Sequence, residues 1–282
     1  METVLEILGK CEKYFAEKGV PNPKTDAQLL LADALGCKRL DLFLRFDQPM
    51  DKAALDKFRE AVRRRAKREP LQHILGSVEF CGLKLKCDSR ALVPRHETEE
   101  LCSIIIEKHL PHYPENIKIL DLGTGSGAII LALKSARPQS ECTAADKHPD
   151  ALALAAENAQ ALGQEVAFKL SDWFQAIKGC CDIIVSNPPY LTNVEMESAQ
   201  PEVRQYDPAT ALYSPDNGLS DLRQIISRAH LHLNVGGLLA LECGAGQPSV
   251  LKAQFEGMPE YSSIETAADL SGRERFLFLK RA

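Results

Sequence analysis

The sequence lacks several features that mark common classes of protein. It contains one tryptophan in 282 residues, and aromatic residues make up only 6% of the chain. No run of about 18 apolar residues occurs, so no transmembrane helix is expected. The first residues are amphipathic and include acids, which does not fit a signal peptide.

An excess of positive charge is also missing. The chain has 34 Lys and Arg against 39 Asp and Glu, for a net charge of −5. The chain as a whole is therefore not suited to a polyanion, and sequence-specific nucleic-acid binding is not predicted. The dense basic run Arg63–Arg68 is interpreted as a solvated helix end, with a docking face for an acidic partner or ribosomal RNA as the alternative.

The cysteines and histidines form no recognisable framework. There are nine cysteines, an odd number, without a CxxC pair. This count favours free thiols in a reducing compartment, which predicts a cytoplasmic protein. The seven histidines are scattered, so no metal site is predicted.

Apolar periodicity divides the chain into three predicted regions: a helical domain over 1–70, a β-hairpin linker over 71–93 and an α/β domain over 94–282. The hairpin prediction begins near Gln72, where the residues alternate with period two. The predicted helices of the first region run from Val4 to Gly19, from Thr25 and Asp26 to Gly36, from Lys38 to Arg45 and from Asp51 to Arg68.

The third region alternates strands and helices, which indicates a mostly parallel sheet covered on both faces. Ligands of such sheets bind beyond the carboxyl ends of the strands. The predicted strands cover 117–120, 141–145, 166–170, 181–186, 237–242 and 275–280, and helices are expected from Ser126, over Pro149–Leu162 and over Leu219–Leu233.

A glycine-rich loop follows the first of these strands, and Asp121 stands before its glycines. Its GxGxG spacing differs from the GxGxxG of a dinucleotide site. A carboxylate at Asp121 suits a ligand with a cationic end, such as the amino group of a methionine moiety, better than it suits a pyrophosphate. The predicted ligand-binding residues of this loop are Asp121, Gly123, Thr124, Gly125, Ser126 and Gly127.

Acidic residues also follow the next two strands. Asp146 is placed to accept both hydroxyls of a ribose. Asp172 can accept from an adenine amino group, and Trp173 can pack on the ring. The alternative is a glycine turn that only connects a strand to a helix, with Asp146 as a surface acid and Trp173 as a core residue.

Asn187, Pro188, Pro189 and Tyr190 leave the end of a buried-looking strand. An amide or exocyclic amino nitrogen is a weak nucleophile, so an enzyme must orient its lone pair. The Asn187 oxygen and the Pro188 carbonyl can each accept one N–H, the prolines stiffen the loop and Tyr190 can cover the flat group. These residues predict methyl transfer to a planar nitrogen, with adenine and glutamine both open.

The chain resembles the release-factor glutamine methyltransferases, which use S-adenosylmethionine (SAM). Apart from the two loops, the resemblance extends over most of the chain. It includes Leu92–Glu99, Asp207–Leu212, Asn217–Leu219, Glu242–Gly244 with Gln247, and Asp269–Arg275. His96 stands where the family usually has a second proline.

The resemblance implies a seven-stranded, Rossmann-like class I methyltransferase sheet with a small helical N-terminal domain. It implies methylation of the glutamine in the Gly-Gly-Gln motif of peptide-chain release factors, with S-adenosylhomocysteine as the second product. The family's SAM-binding positions match the glycine loop, Asp146, Trp173 and Asn187, and Asn187–Tyr190 match its glutamine-binding loop. The helical domain is expected to help dock the release factor, and a monomer is the default expectation.

Two other functions are consistent with parts of the pattern. An adenine-N6 methyltransferase must also orient a weakly nucleophilic planar nitrogen and would therefore use the same Asn-Pro-Pro-Tyr loop. That function predicts a basic cleft for flipped bases, whereas this chain is acidic. A binding module could keep the fold without turnover. The intact Asn187 and Asp146 argue against that alternative.

Overall fold

The computed structural model describes residues 2–282, so residue 1 of the predicted helical domain lies outside the described residues. The chain forms two compact units. One contains the residues up to Ser77 together with Gln200–Tyr206, and the other contains Val78–Ala199 and Asp207–Ala282. Each unit buries its own apolar core.

The smaller unit is helical. Thr3 begins its first helix with a capping box to Glu6, and Asp51 caps a later one by accepting from the Ala54 N–H at 2.9 Å. Fully buried Phe15 and Leu31 lie in the core of this unit. Its helices are α1 (Val4–Glu17), α2 (Pro23–Ala34), a 3₁₀ helix (Arg39–Leu44), α3 (Lys52–Ala66), α4 (Leu71–Leu75) and α9 (Pro201–Tyr206).

Two predictions for this unit are wrong. Helix α2 begins at Pro23 and not at Thr25 or Asp26, because proline is already suited to the first helical turn. Asp26 is instead buried and accepts from Arg65 at 2.7 Å. Arg65 also pairs with Glu202 at 2.9 Å, so the basic run is not simply a solvated helix end, although Arg63 remains largely exposed.

The predicted hairpin begins too early. Residues 71–75 form helix α4 instead of a strand, since Pro70 precedes its first turn and Gly76 ends it with φ of +68°. The hairpin itself consists of β1 (Ser77–Phe80) and β2 (Leu83–Lys86).

The larger unit contains the predicted seven-stranded α/β sheet, which confirms the fold class. Its strands are β3 (Lys118–Leu122), β4 (Glu141–Asp146), β5 (Ala167–Leu170), β6 (Cys181–Ser186), β7 (Leu233–Glu242), β8 (Tyr261–Ala268) and β9 (Glu274–Arg281). They lie in the order β5-β4-β3-β6-β7-β9-β8, and β9 runs antiparallel to both of its neighbours.

Apolar clusters lie on both faces of this sheet. Adjacent residues of β6 alternate between them, with Ile183 in one cluster and Ile184 in the other. The α-helices of this unit are α5 (His96–Ile104), α6 (Ala128–Ala136), α7 (Pro149–Ala161), α8 (Asn193–Ser198), α10 (Pro215–Gly218), α11 (Ser220–Ala229) and α12 (Gln247–Phe255). Shorter π- or 3₁₀-helical segments cover Ile105–His109, Leu110–His112 and Ala209–Ala211. Among residues 2–282, no helix combines the length and apolar character needed to cross a membrane.

Two elements near the C-terminus differ from the prediction. The helix expected over Leu219–Leu233 ends at Ala229, and β7 begins at Leu233. Strand β8 was not predicted, because its burial pattern alternates only weakly and it lies at the sheet edge.

The register brings the predicted functional residues to one edge of the sheet. Leu122 pairs with Ala145 on one side and with Ser186 on the other, while Ser186 also pairs with Leu241. The segments that follow β3, β4, β6 and β7 therefore leave the sheet side by side. Asn187 and Glu242 come from neighbouring strands at this edge.

Candidate active site

A cavity of about 380 Å³ lies at the carboxyl edge of the parallel strands, within the larger unit. Among the predicted site residues, Asp121, Gly127, Pro188 and Tyr190 do not line it. Those that do are Gly123, Thr124, Gly125, Ser126, Asp146, Asp172, Trp173, Asn187 and Pro189.

The glycine loop is held by backbone hydrogen bonds. The N–H groups of Gly123 and Thr124 both donate to the Ala145 carbonyl, at 2.8 and 3.0 Å. Gly127 has φ of +82°, and a Cβ there would lie 3.1 Å from the Ala155 Cβ. Glycine is therefore needed at this position both for the turn and for the close approach of α6 to α7.

Asp146 presents a fixed carboxylate to the cavity. Its Oδ2 accepts from the Gly125 N–H and its Oδ1 from the His148 N–H, both at 2.9 Å. Each carboxylate oxygen retains acceptor capacity after one such bond. Asp146 can therefore accept from two further donors without changing its orientation.

Trp173 lies against the glycine loop. The edge of its six-membered ring would be 3.5 Å from a Cβ at Gly123. Its backbone has φ of +48°, a costly region for a bulky residue. The Ser171 hydroxyl holds this conformation by donating to the Trp173 carbonyl at 2.8 Å and accepting from the Ala176 N–H at 2.9 Å. Asp172, between Ser171 and Trp173, is exposed.

Asp121 does not contact the cavity directly, contrary to the expectation that it lies beside a ligand amino group. It is fully buried, and the Thr124 hydroxyl donates to its Oδ2 at 2.6 Å. Burial raises its pKa to about 7, although the bond from Thr124 opposes the rise. Any influence on a ligand would therefore pass through Thr124, which does line the cavity.

Asn187 belongs to a chain of side-chain hydrogen bonds. Its Nδ2 donates to the Thr98 Oγ1 at 3.0 Å, and Thr98 donates to the Glu242 Oε2 at 2.6 Å. The Tyr190 hydroxyl donates to the other oxygen, Oε1 of Glu242, at 3.0 Å. Burial raises the pKa of Glu242, and it also holds the pKa of Tyr190 well above its usual range.

The backbone that follows Asn187 is also anchored. The N–H groups of Tyr190 and Leu191 both donate to the Leu212 carbonyl, at 3.1 and 2.8 Å. The Gln247 amide donates to the Tyr190 carbonyl at 3.0 Å. A Cβ at Gly218 would lie 2.0 Å from that same carbonyl oxygen.

Thr98 and Glu242 were missed as site residues. In the sequence they lie only inside family-like segments, without an expected role. The available signal was an acid directly after the apolar run of β7, where a hydrophobic residue is the ordinary choice. In residues 2–282, no group of His, Cys, Asp and Glu side chains is arranged to hold a metal ion, and all nine cysteines are free thiols.

Comparison with known proteins identifies both parts of the chain. Residues 6–76 match the family model described as the PrmC N-terminal domain, and residues 97–203 match the methyltransferase small domain. A release factor glutamine methyltransferase of Geobacter sulfurreducens is 39% identical over 274 residues, covering 97% of this chain and 95% of its own. That of Deinococcus radiodurans is 40% identical over 277 residues, covering 98% of each chain.

A solved methyltransferase from Pyrococcus furiosus shares the fold, with a TM-score of 0.52 at 18% identity. The match covers 71% of this chain and 89% of that one. The sequence identity to the two relatives over nearly their full length shows the family and not only the fold. The chain belongs to the release factor glutamine methyltransferase family.

Proposed function

We propose that this chain transfers the methyl group of SAM to N5 of the glutamine in the Gly-Gly-Gln motif of peptide-chain release factors. The observation that carries the proposal is the fixed Asn187 amide. Its Nδ2 is bonded to Thr98, so its Oδ1 remains available to accept an N–H at the cavity wall.

The cavity residues fit SAM. Asp146 offers the two oriented acceptors that a ribose diol needs, and Asp172 offers one for an adenine amino group. Gly123 leaves room beside the Trp173 ring, which gives the adenine a flat apolar wall. SAM, when bound, supplies a methyl group on a positively charged sulfur.

The acceptor glutamine is held by Asn187–Tyr190. The Asn187 Oδ1 accepts one amide N–H and the Pro188 carbonyl accepts the other, which fixes the amide plane and aims the nitrogen lone pair. The Tyr190 hydroxyl is occupied by Glu242, and the Tyr190 ring, which does not line the cavity itself, is expected to cover the amide once the glutamine has entered. Positioning the nitrogen about 3–3.5 Å from the methyl carbon is the main contribution of the protein.

No strong base is required. When the N–C bond forms and the S–C bond breaks, the sulfur becomes neutral and the positive charge moves to the nitrogen. The methylated nitrogen is then acidic and loses its extra proton to water. Asn187 keeps its amide protons throughout.

The remaining features of the function concern the partner. The helical unit is proposed to help dock the release factor, and the protein is proposed to act as a cytoplasmic monomer. Because the acceptor is a side chain of another protein, the cavity must admit a loop of that protein to Asn187.

The direct test is to incubate the protein with SAM and a purified release factor and to map the product by mass spectrometry. We expect one added CH₂ on the glutamine of the Gly-Gly-Gln motif. A matched release factor with that glutamine changed to glutamate should gain nothing. Transfer of labelled methyl to DNA and not to the release factor would instead support the adenine-N6 alternative.

A further inference from the structure

We propose that Thr98 and Glu242 are positioning residues that set the direction in which the Asn187 amide points. The inference rests on the proposed role of Asn187 as a hydrogen-bond acceptor for the glutamine. Neither residue needs to touch the reacting atoms to act in this way.

Glu242 determines which group donates and which accepts in these hydrogen bonds. Burial raises the pKa of Glu242, but the bonds from the Thr98 and Tyr190 hydroxyls favour its ionised form. In that form the carboxylate only accepts, so both hydroxyls that face it must donate. Each hydroxyl has one hydrogen. The Thr98 hydroxyl donates its one hydrogen to Glu242 at 2.6 Å, so towards a third group its oxygen can only accept.

That third group is Asn187. Because the Thr98 oxygen is an acceptor, the NH₂ side of the Asn187 amide must face it, as the 3.0 Å contact shows. The oxygen of the same amide then points elsewhere. In the opposite orientation, an NH₂ group would face the glutamine N–H, and two donors would meet.

The location of Glu242 is difficult to explain as simple core packing. It is fully buried at the end of β7, directly after the buried Leu241. Burying a carboxylate is costly unless it is well paired, and an apolar residue of similar volume often stabilises a core more. Here its two oxygens are bonded by hydroxyls and not by a cation.

The fold brings these groups together from three segments. Ser186 pairs with Leu241 in adjacent parallel strands, so Asn187 and Glu242 leave the sheet as neighbours. Thr98 comes from helix α5, is itself buried and lines the cavity. Thr98 accepts a hydrogen bond from Asn187 and donates one to Glu242, so it connects the two residues.

The test compares Thr98→Val, which keeps the shape but removes the hydroxyl, with Thr98→Ser, which keeps the hydroxyl. With a release factor as substrate, Thr98→Val should lower kcat by about 10- to 100-fold, since misplacement of a reacting group costs that much. Thr98→Ser should retain most of the wild-type kcat. The Kd for SAM should stay within about twofold in both, because the proposal gives the Thr98 hydroxyl a role in orienting Asn187 and not in holding the cofactor.

A double variant separates positioning from general damage. In the Asn187→Ala background, Thr98→Val should cause no further loss, because its effect passes through the missing amide. Glu242→Gln should behave like Thr98→Val, since an amide no longer forces both hydroxyls to donate. An equal loss from Thr98→Val with and without Asn187 would overturn the proposal.

A measurement that requires no methyl transfer distinguishes this inference from the proposed function. The side-chain ¹⁵N–¹H₂ signals of Asn187 are identified by their loss in Asn187→Ala. Thr98→Val should shift them while Thr98→Ser leaves them near the wild-type position. Unmoved signals in Thr98→Val would refute the orientation, whereas a shift together with a wild-type protein that fails to methylate any release factor would support the orientation and reject the proposed function.

Discussion

Two loops that leave neighbouring parallel strands are held in different ways. The glycine loop after β3 is fixed mainly by its backbone N–H groups, which donate to Ala145 and Asp146 at the end of the next strand, β4. The Asn-Pro-Pro-Tyr loop after β6 is fixed by the Leu212 carbonyl and, in addition, by side chains far along the chain. Thr98 lies 89 residues before Asn187, and Gln247 lies 57 residues after Tyr190.

The difference follows from what each loop must hold. A nucleoside needs space and fixed acceptors, which glycines and a strand-end carboxylate can supply locally. A planar amide needs an acceptor with a defined direction, and a side-chain amide has two nearly equal orientations unless a neighbour chooses one. The second loop therefore depends on distant partners.

The largest expected effect is that of Asn187→Ala on the second loop. Turnover should fall by about 10²–10³-fold, as for the loss of one hydrogen-bonding group that acts in a transition state. The Kd for SAM should change much less. Kinetics at saturating release factor and calorimetric SAM binding measure the two quantities, and equal losses would assign Asn187 mainly to the cofactor.

Asp146→Ala should disturb the first loop and weaken the binding of SAM. The Kd for SAM should rise by about 10- to 100-fold, because hydrogen bonds to a charged group contribute about 1.5–3 kcal/mol. Turnover at saturating SAM should fall less. Asp146→Asn, which retains one acceptor oxygen, is the matched control, and an unchanged Kd in Asp146→Ala would refute the ribose assignment.

Gly218→Ala should disturb the second loop alone. Its Cβ would meet the Tyr190 carbonyl at 2.0 Å, and its φ of +78° is already unfavourable for alanine. We expect turnover to fall by about tenfold with little change in SAM affinity. Gly236→Ala is the control, because Gly236 has φ of +74° and open space around its Cβ position. Similar turnover in the two variants would contradict the contact.

The smallest effect is expected for Gly127→Ala, measured as stability. A non-glycine residue at positive φ costs about 1–2 kcal/mol, and close contacts with Ala155 add to this. Urea unfolding should show a lower free energy of unfolding. Gly163→Ala, at φ of +65° without neighbours, measures the backbone cost alone, so an equal loss in both would remove the packing contribution.

The same contrast explains what could be predicted from the sequence. Six of the seven strands and the glycine loop were predicted correctly as structure, because strand periodicity and glycine spacing are local signals, whereas the seventh strand was expected only from the resemblance. The acceptor role of Asn187 and the ribose role of Asp146 stay predictions. So do the domain boundaries near residues 70 and 93.

The parts that were missed depend on long-range contacts. The buried bond from Arg65 to Asp26 spans 39 residues, so the basic run gave no sign of it. The bond from Thr98 to Glu242 spans 144 residues, and only the folded sheet brings those two side chains together. Short helices such as α4 have too few residues to display a period.

The single tryptophan of the chain has a practical consequence. Trp173 forms part of the cavity wall, and its ring edge lies against Gly123. Because no other indole contributes, all of the tryptophan emission comes from one point in the cavity wall. The molecule thus contains its own optical probe, and unlabelled protein can report the filling of the cavity through its fluorescence.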